Sequence, residues 1–124
     1  MSKYEVGDIV FVSEYVYPNG KKGDNHFFVI IDDDDKLVPA EYFGLLSSSN
    51  VSKSKECSDF LYNEPIAKNN TNNLKTDSIV KCDVLYNIPA ENICYKLGSV
   101  DVDDYIRFME SYNKAILDQL RVTE

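Results

Sequence analysis

Long apolar runs are missing from this chain of 124 residues. The longest, Phe27-Phe28-Val29-Ile30-Ile31, is far below the ~18 residues a membrane span requires, which excludes a transmembrane helix. Positive charge is scarce. With 13 Lys+Arg against 21 Asp+Glu, the formal charge is -8, so a generally basic nucleic-acid-binding surface is excluded and any RNA or DNA contact is expected to be local. Cys57, Cys82 and Cys94 are odd in number, lie far apart and form no C-x-x-C pair. That speaks against a disulfide framework and a zinc knuckle and leaves three reduced thiols. Histidine occurs once, at His26. No serine-histidine-acid order, P-loop or metal-ligand cluster is visible, so neither metal nor cofactor is expected. The N-terminus, Met1-Ser2-Lys3-Tyr4-Glu5-Val6-Gly7-Asp8, puts an acidic residue where a signal peptide has its apolar region, and a cytoplasmic protein is expected.

What is present fits one domain over residues 1–124, since 44% of the residues are hydrophobic and can fill an ordinary core. Asp8 to Ser13 and His26 to Ile31 are rich in β-branched and aromatic residues and read as strands. Pro18, Gly20 and Gly23 between them predict a hairpin with a long basic tip at Lys21 and Lys22. The second strand is apolar on both faces, hence central. Asp32-Asp33-Asp34-Asp35 is expected to be a hydrated turn, because a calcium loop spaces its carboxylates at alternate positions with a glycine between. Leu37-Val38-Pro39 and Tyr42 to Leu46 are two further short strand candidates, the latter ending in Ser47-Ser48-Ser49-Asn50. From Asn50 to Thr76 the composition predicts one long loop holding a short strand, with Phe60-Leu61-Tyr62 and Pro65-Ile66 its apolar parts.

Ser78 to Tyr86 alternates as a half-buried strand does. Ile88 to Asn92 reads as a turn with one helical turn, and Ile93 to Gly98 as another strand. Ser99 or Asp101 can cap a helix with Asp103 and Asp104 in its first turn, where carboxylates oppose the helix dipole. Val102, Tyr105, Ile106, Met109, Tyr112, Ile116 and Leu120 fall at three- and four-residue steps, a packing stripe for the sheet or for a second subunit. The fold class is mainly β with α additions, a small barrel of antiparallel strands with a C-terminal helix.

This order of elements resembles the PemK/MazF/Kid family of bacterial toxins. Gly7-Asp8-Ile9-Val10 resembles the family's first strand, Gly23 through Ile30 its second, and Leu45-Leu46-Ser47-Ser48 the strand end that carries a Thr/Ser pair. Most specific are Asp77 through Asp83, Ile88-Pro89, and Lys96-Leu97-Gly98-Ser99-Val100 followed by the long helix. The resemblance implies an SH3-like barrel, a homodimer, and a cognate antitoxin whose tail covers the active groove. It also implies the toxin half of a type II toxin-antitoxin system, a growth inhibitor that cuts single-stranded RNA without a metal. There the ribose 2′-OH attacks the adjacent phosphate, so the site needs a base, a cation or donors, and an acid. Members that cleave RNA carry Arg-Pro where this chain has Asn25-His26. Asn supplies no charge to a phosphate, so turnover is expected to be weak.

Under that resemblance His26 is the leading candidate, since an imidazole with an ordinary pKa of about 6.5 suits acid-base work; it also reads as a half-buried strand-end histidine. Asn25 takes the family's catalytic position. Ser47 and Ser48 are candidates to hydrogen-bond a phosphate or ribose, or are ordinary loop serines. Lys21 and Lys22 are candidates to bind RNA phosphate, or solubilise the hairpin tip. Tyr15, Tyr17 and Phe27 are candidates to stack on bases, or pack the sheet. A second function follows from the missing Arg and the acidic charge: a non-catalytic PemK-like protein that binds a protein partner through an acidic surface.

Overall fold

A run of alternating residues that is apolar on both sides has to be covered on both sides, and strand β4 (His26–Asp33) is such a run. In the computed structural model, which describes residues 4–17, 20–23, 25–49 and 62–123, Phe28 and Ile30 join Val10, Val12, Tyr42, Leu46 and Ile88 in one buried cluster. Val29 and Ile31 join Ile9, Leu45, Val80 and Phe108 in another, on the opposite face. The strand is central, as its composition predicts. It pairs antiparallel with β1 (Asp8–Val12), from Ile9 opposite Val29 to Val12 opposite His26. On its other side lies β5 (Glu41–Ser48), from Phe27 opposite Ser47 to Asp33 opposite Tyr42. The hairpin beyond β1 and β4 carries a two-stranded extension, β2 (Tyr15–Val16) on β3 (Lys22–Gly23). Only glycine fits at position 23, because a Cβ there would lie 2.3 Å from the Tyr15 ring.

The outer edge of β5 is divided. Ser47 and Ser48 pair with β7 (Ser78–Lys81), while Glu41 to Gly44 pair with β8 (Tyr86–Pro89). The single strand expected from Ser78 to Tyr86 is therefore two strands joined by a turn. Its alternation is broken where the chain changes cores: Cys82 is buried in the helix-side cluster and Tyr86 in the other. Ile88 and Pro89 complete β8 instead of forming a turn, and the helical turn is confined to Ala90–Asn92. The seven-stranded sheet is completed by β6 (Asn63–Ile66) at one end and β9 (Ile93–Ser99) at the other, in the order β6-β7-β5-β4-β1-β9 with β8 on β5. Its pairs are antiparallel. Among the described residues the end strands β6 and β9 do not pair, so the sheet carries the expected strands and C-terminal helix without closing into a barrel.

Leu37-Val38-Pro39 is not a strand. Leu37 and Val38 are 85% and 72% exposed, and the aspartate run before them builds the turn that holds them out. The Asp34 carboxylate accepts the backbone N–H groups of Lys36, Ala40 and Glu41, and Asp33 accepts that of Asp35, whose φ is 61°. Short acidic side chains favour such local backbone bonds over a ladder. Of the segment from Asn50 to Thr76, the predicted short strand exists as β6, and Asn50, Phe60 and Leu61 lie outside the described residues.

Helix α1 (Val102–Thr123) starts where the capping pattern predicts, with Tyr105 N–H donating to the Asp101 carbonyl. Its packing stripe is rotated from the predicted one. Phe108 and Ala115 are fully buried, with Tyr105, Met109 and Tyr112 packed around Phe108, whereas Val102 and Ile106 are 73% and 49% exposed and Ile116 and Leu120 are also exposed. Two apolar stripes run side by side on this helix, and the one that meets β6 is selected. Arg107 binds Glu64 at 3.2 Å, Asp104 at 2.7 Å and the Pro65 carbonyl at 2.7 Å, and the Tyr62 hydroxyl donates to Asp118 at 2.6 Å. Phe108→Ala should cost about 3–5 kcal/mol in urea unfolding through the cavity it leaves. Ile106→Asp should cost less than about 1 kcal/mol, as a half-exposed helix position does. Equal losses would contradict the rotation.

Candidate functional site

Register brings the site together. With Phe27 opposite Ser47, the first residues of β4 and the last of β5 share one end of the sheet, where His26, Phe27, Ser47 and Ser49 line a cleft of about 260 Å³. The facing wall is Asn73, Leu74, Lys75 and Thr76, the loop that leads into β7, and Tyr95 and Leu97 close it from β9. Phe27 here is only partly buried.

The loop wall is built rigidly. Asn72 is completely buried, and both polar atoms of its side chain are bonded: Oδ1 accepts from the Asn69 and Leu74 N–H groups and Nδ2 donates to the Ala67 carbonyl. A buried amide so satisfied holds one loop conformation, because any other strands its polar atoms without partners. Gly98 lets the loop settle on β9. A Cβ there would lie 2.5 Å from the Asn72 carbonyl oxygen, and Ser99 N–H donates to Thr71 O at 3.0 Å just beyond it. Asn73 Nδ2 donates to the Leu97 carbonyl, and the Asp77 carboxylate accepts Lys68 N–H to tie off the base of the loop.

His26 is half-buried. Its ring stands edge-on to Tyr15 at 6.3 Å and Phe28 at 6.4 Å, and Phe27 N–H approaches Nδ1 at 3.2 Å. That distance is at the long end for a hydrogen bond and orients the ring. Burial is the main cause of a pKa below the ordinary 6.5; a backbone hydrogen bond with Ser47 opposes it, and the nearby charge of Lys81 adds to the lowering. The imidazole is therefore neutral at pH 7, the form that accepts a proton.

Of the residues singled out from the sequence, the cleft gathers His26, Phe27 and Ser47. Ser48 is half-buried opposite Ile79 and does not line it; Asn25 is exposed just before β4; Lys21 and Lys22 are exposed on the hairpin and stand outside the lining. Asp83 falls in the turn between β7 and β8. Lys75, Thr76, Ser78 and Tyr95 line the cleft without having been singled out. Lys75 and Thr76 sit in a stretch whose Ser, Lys and Asn content reads only as loop, and Tyr95 in a strand with no motif; their chemistry arises from the loop folding onto β9. Among the described residues no three His, Cys, Asp or Glu side chains gather as metal ligands, and no helix is long and apolar enough to cross a membrane.

No protein-family model matches the chain, and no curated relative matches it in sequence. In structure the chain is similar to the Mycobacterium tuberculosis toxin MazF-mt6, with a TM-score of 0.60 over 86% of this chain and 95% of that one, at 14% sequence identity. The likeness establishes a MazF-like fold.

The lowered pKa of His26 has a sign that can be checked. The folded state binds a proton less readily than the unfolded chain, so this group's contribution to stability is present above pH 6.5 and is lost as the pH falls through its folded value. An NMR titration of the single histidine should give a midpoint below 6.5, and His26→Gln should lose less stability than the parent between pH 7.5 and pH 5. A midpoint above 6.5 would contradict the burial described.

Proposed function

We propose that this chain is the toxin of a type II toxin-antitoxin pair, a metal-independent endoribonuclease that cleaves single-stranded RNA. The observation that carries the reading is the meeting of His26 and Ser47 in one cleft at the end of paired strands β4 and β5, in a fold similar to that of a solved toxin. Nδ1 of neutral His26, on giving up its long contact with Phe27 N–H, takes the proton of a ribose 2′-OH, the 2′ oxygen bonds to the adjacent phosphorus, and the bond from phosphorus to the 5′ oxygen breaks. The leaving oxygen is protonated, from water or from the imidazolium just formed, and the products end in a 2′,3′-cyclic phosphate and a 5′-OH. Ser47 supplies a hydrogen bond to the phosphate. Asn25 stands where related enzymes have Arg, which makes turnover weak. Lys21, Lys22 and Ser48 stand outside the cleft lining and take no part in this step.

The protein acts in the cytoplasm, where a cognate antitoxin covers the cleft. It works as a homodimer, and the exposed apolar residues Val102, Ile106, Leu117 and Leu120 on one side of α1 are the surface offered to the second copy.

Long RNA incubated with the purified chain and excess EDTA should be cut slowly to fragments with cyclic-phosphate ends. His26→Gln should lower the rate by ~10²–10⁴, the usual contribution of a general base, and Asn25→Arg should raise it by restoring a guanidinium fork beside the phosphate. Intact RNA with the parent chain and with Asn25→Arg would favour the protein-binding role instead.

A further inference from the structure

We propose that the cleft holds one nucleotide unit of the RNA in two parts, with Lys75 neutralising its phosphate and the ring of Tyr95 stacking on its base. The proposal deepens the RNA reading above and rests on it. In a chain with 21 acidic and 13 basic residues, no Asp or Glu among the described residues lines this cleft, while Lys75 and His26 do. Lys75 forms no ion pair among the described residues; Lys36, Lys96 and Arg107 do. Among the described residues its charge is uncommitted and the lining carries no carboxylate, which makes Lys75 the local basic contact that an acidic protein needs to hold a phosphate.

The backbone that carries Lys75 is also held in place. The preceding Leu74 is bonded through its N–H to buried Asn72, and the loop rests on Gly98, so the loop itself needs little ordering when a ligand arrives. Tyr95 is 47% exposed. One of its faces is occupied by Phe11, stacked at 5.3 Å and 17°, and Phe27 meets it edge-on at 6.5 Å. A tyrosine clamped from below and open above is a platform, and base stacking on such rings is tolerant of sequence. The cleft, at about 260 Å³, is just under the ~300–1,000 Å³ of small-molecule sites, which suits a single base with its phosphate.

The test measures binding without cleavage, using a short fluorescent single-stranded RNA with 2′-O-methyl groups and the full chain at a series of salt concentrations. Lys75→Ala should weaken binding and reduce the slope of log K against log salt by about 0.7, the value for one lost phosphate contact on a single strand. Lys75→Arg should restore both. Tyr95→Leu, which keeps an apolar side chain on Phe11, should weaken binding about 10-fold with the salt slope unchanged, and Tyr95→Phe should bind as the parent does. Unchanged melting midpoints establish that the variants are folded. If the parent binds and Lys75→Ala and Tyr95→Leu bind equally well, the assignment to this cleft is overturned and the RNA reading stands. A parent chain that binds no RNA overturns both.

Discussion

Strand β4 has no solvent face between Phe28 and Ile31, and this double burial constrains the rest of the molecule. One face requires the cluster around Val10, Tyr42 and Ile88, the other requires Phe108 of the helix, and both edges require partners. Two-sided burial leaves the register weakly specified by β4 alone, since a slip of one residue exchanges one apolar set for another. The neighbouring strand removes the ambiguity. In β5, Tyr42 and Leu46 face one core and Leu45 the other, and a Cβ at Gly44 would lie 3.0 Å from both Ile88 and the Val29 carbonyl oxygen. That close approach holds β5 in one alignment, and the alignment sets Ser47 beside Phe27 and hence beside His26. The candidate chemistry is a consequence of core packing.

Much of the negative charge is structural. Asp8 is buried and ties Lys96 at 3.1 Å, the Ser99 hydroxyl and the Glu5 N–H together at the start of β1. Asp34 shapes the turn before β5, and Asp104 and Glu64 hold Arg107 across the junction of helix and β6. Net charge therefore says little about the cleft, whose lining has no carboxylate among the described residues. An acidic chain can still present a neutral to positive site, because pairing and the short reach of charge in salt confine each carboxylate's influence to its surroundings.

The central strand, the start of the helix and strand β9 were legible because each carries a local signal: a two-sided apolar run, acidic residues ahead of an apolar period, and a β-rich segment ended by Gly98. The division of Ser78 to Tyr86 was not, because its cause is the transfer of the chain from one core to the other between Cys82 and Tyr86. The helix stripe is rotated from the expected one because the residues at Val102 and Ile106 are as apolar as those at Tyr105 and Phe108, and the contacts that favour the observed face, Phe108 in the second core, Arg107 on Glu64 and Tyr62 on Asp118, are all long-range. At the candidate site, His26, Phe27 and Ser47 could be read from type and position. Lys75 and Tyr95 could not, since they are brought together by buried Asn72 and by the missing side chain at Gly98, neither of which marks a ligand site in the sequence.

The central claim is that the cleft at the end of β4 and β5 is where RNA meets this protein. Backbone amide shifts followed by NMR during titration with an uncleavable single-stranded RNA test it most directly. The account predicts that the largest changes fall on His26, Ser47, Lys75 and Tyr95, with little change along the exposed side of α1. Changes concentrated at Val102, Ile106 and Leu117, or none anywhere, would contradict it.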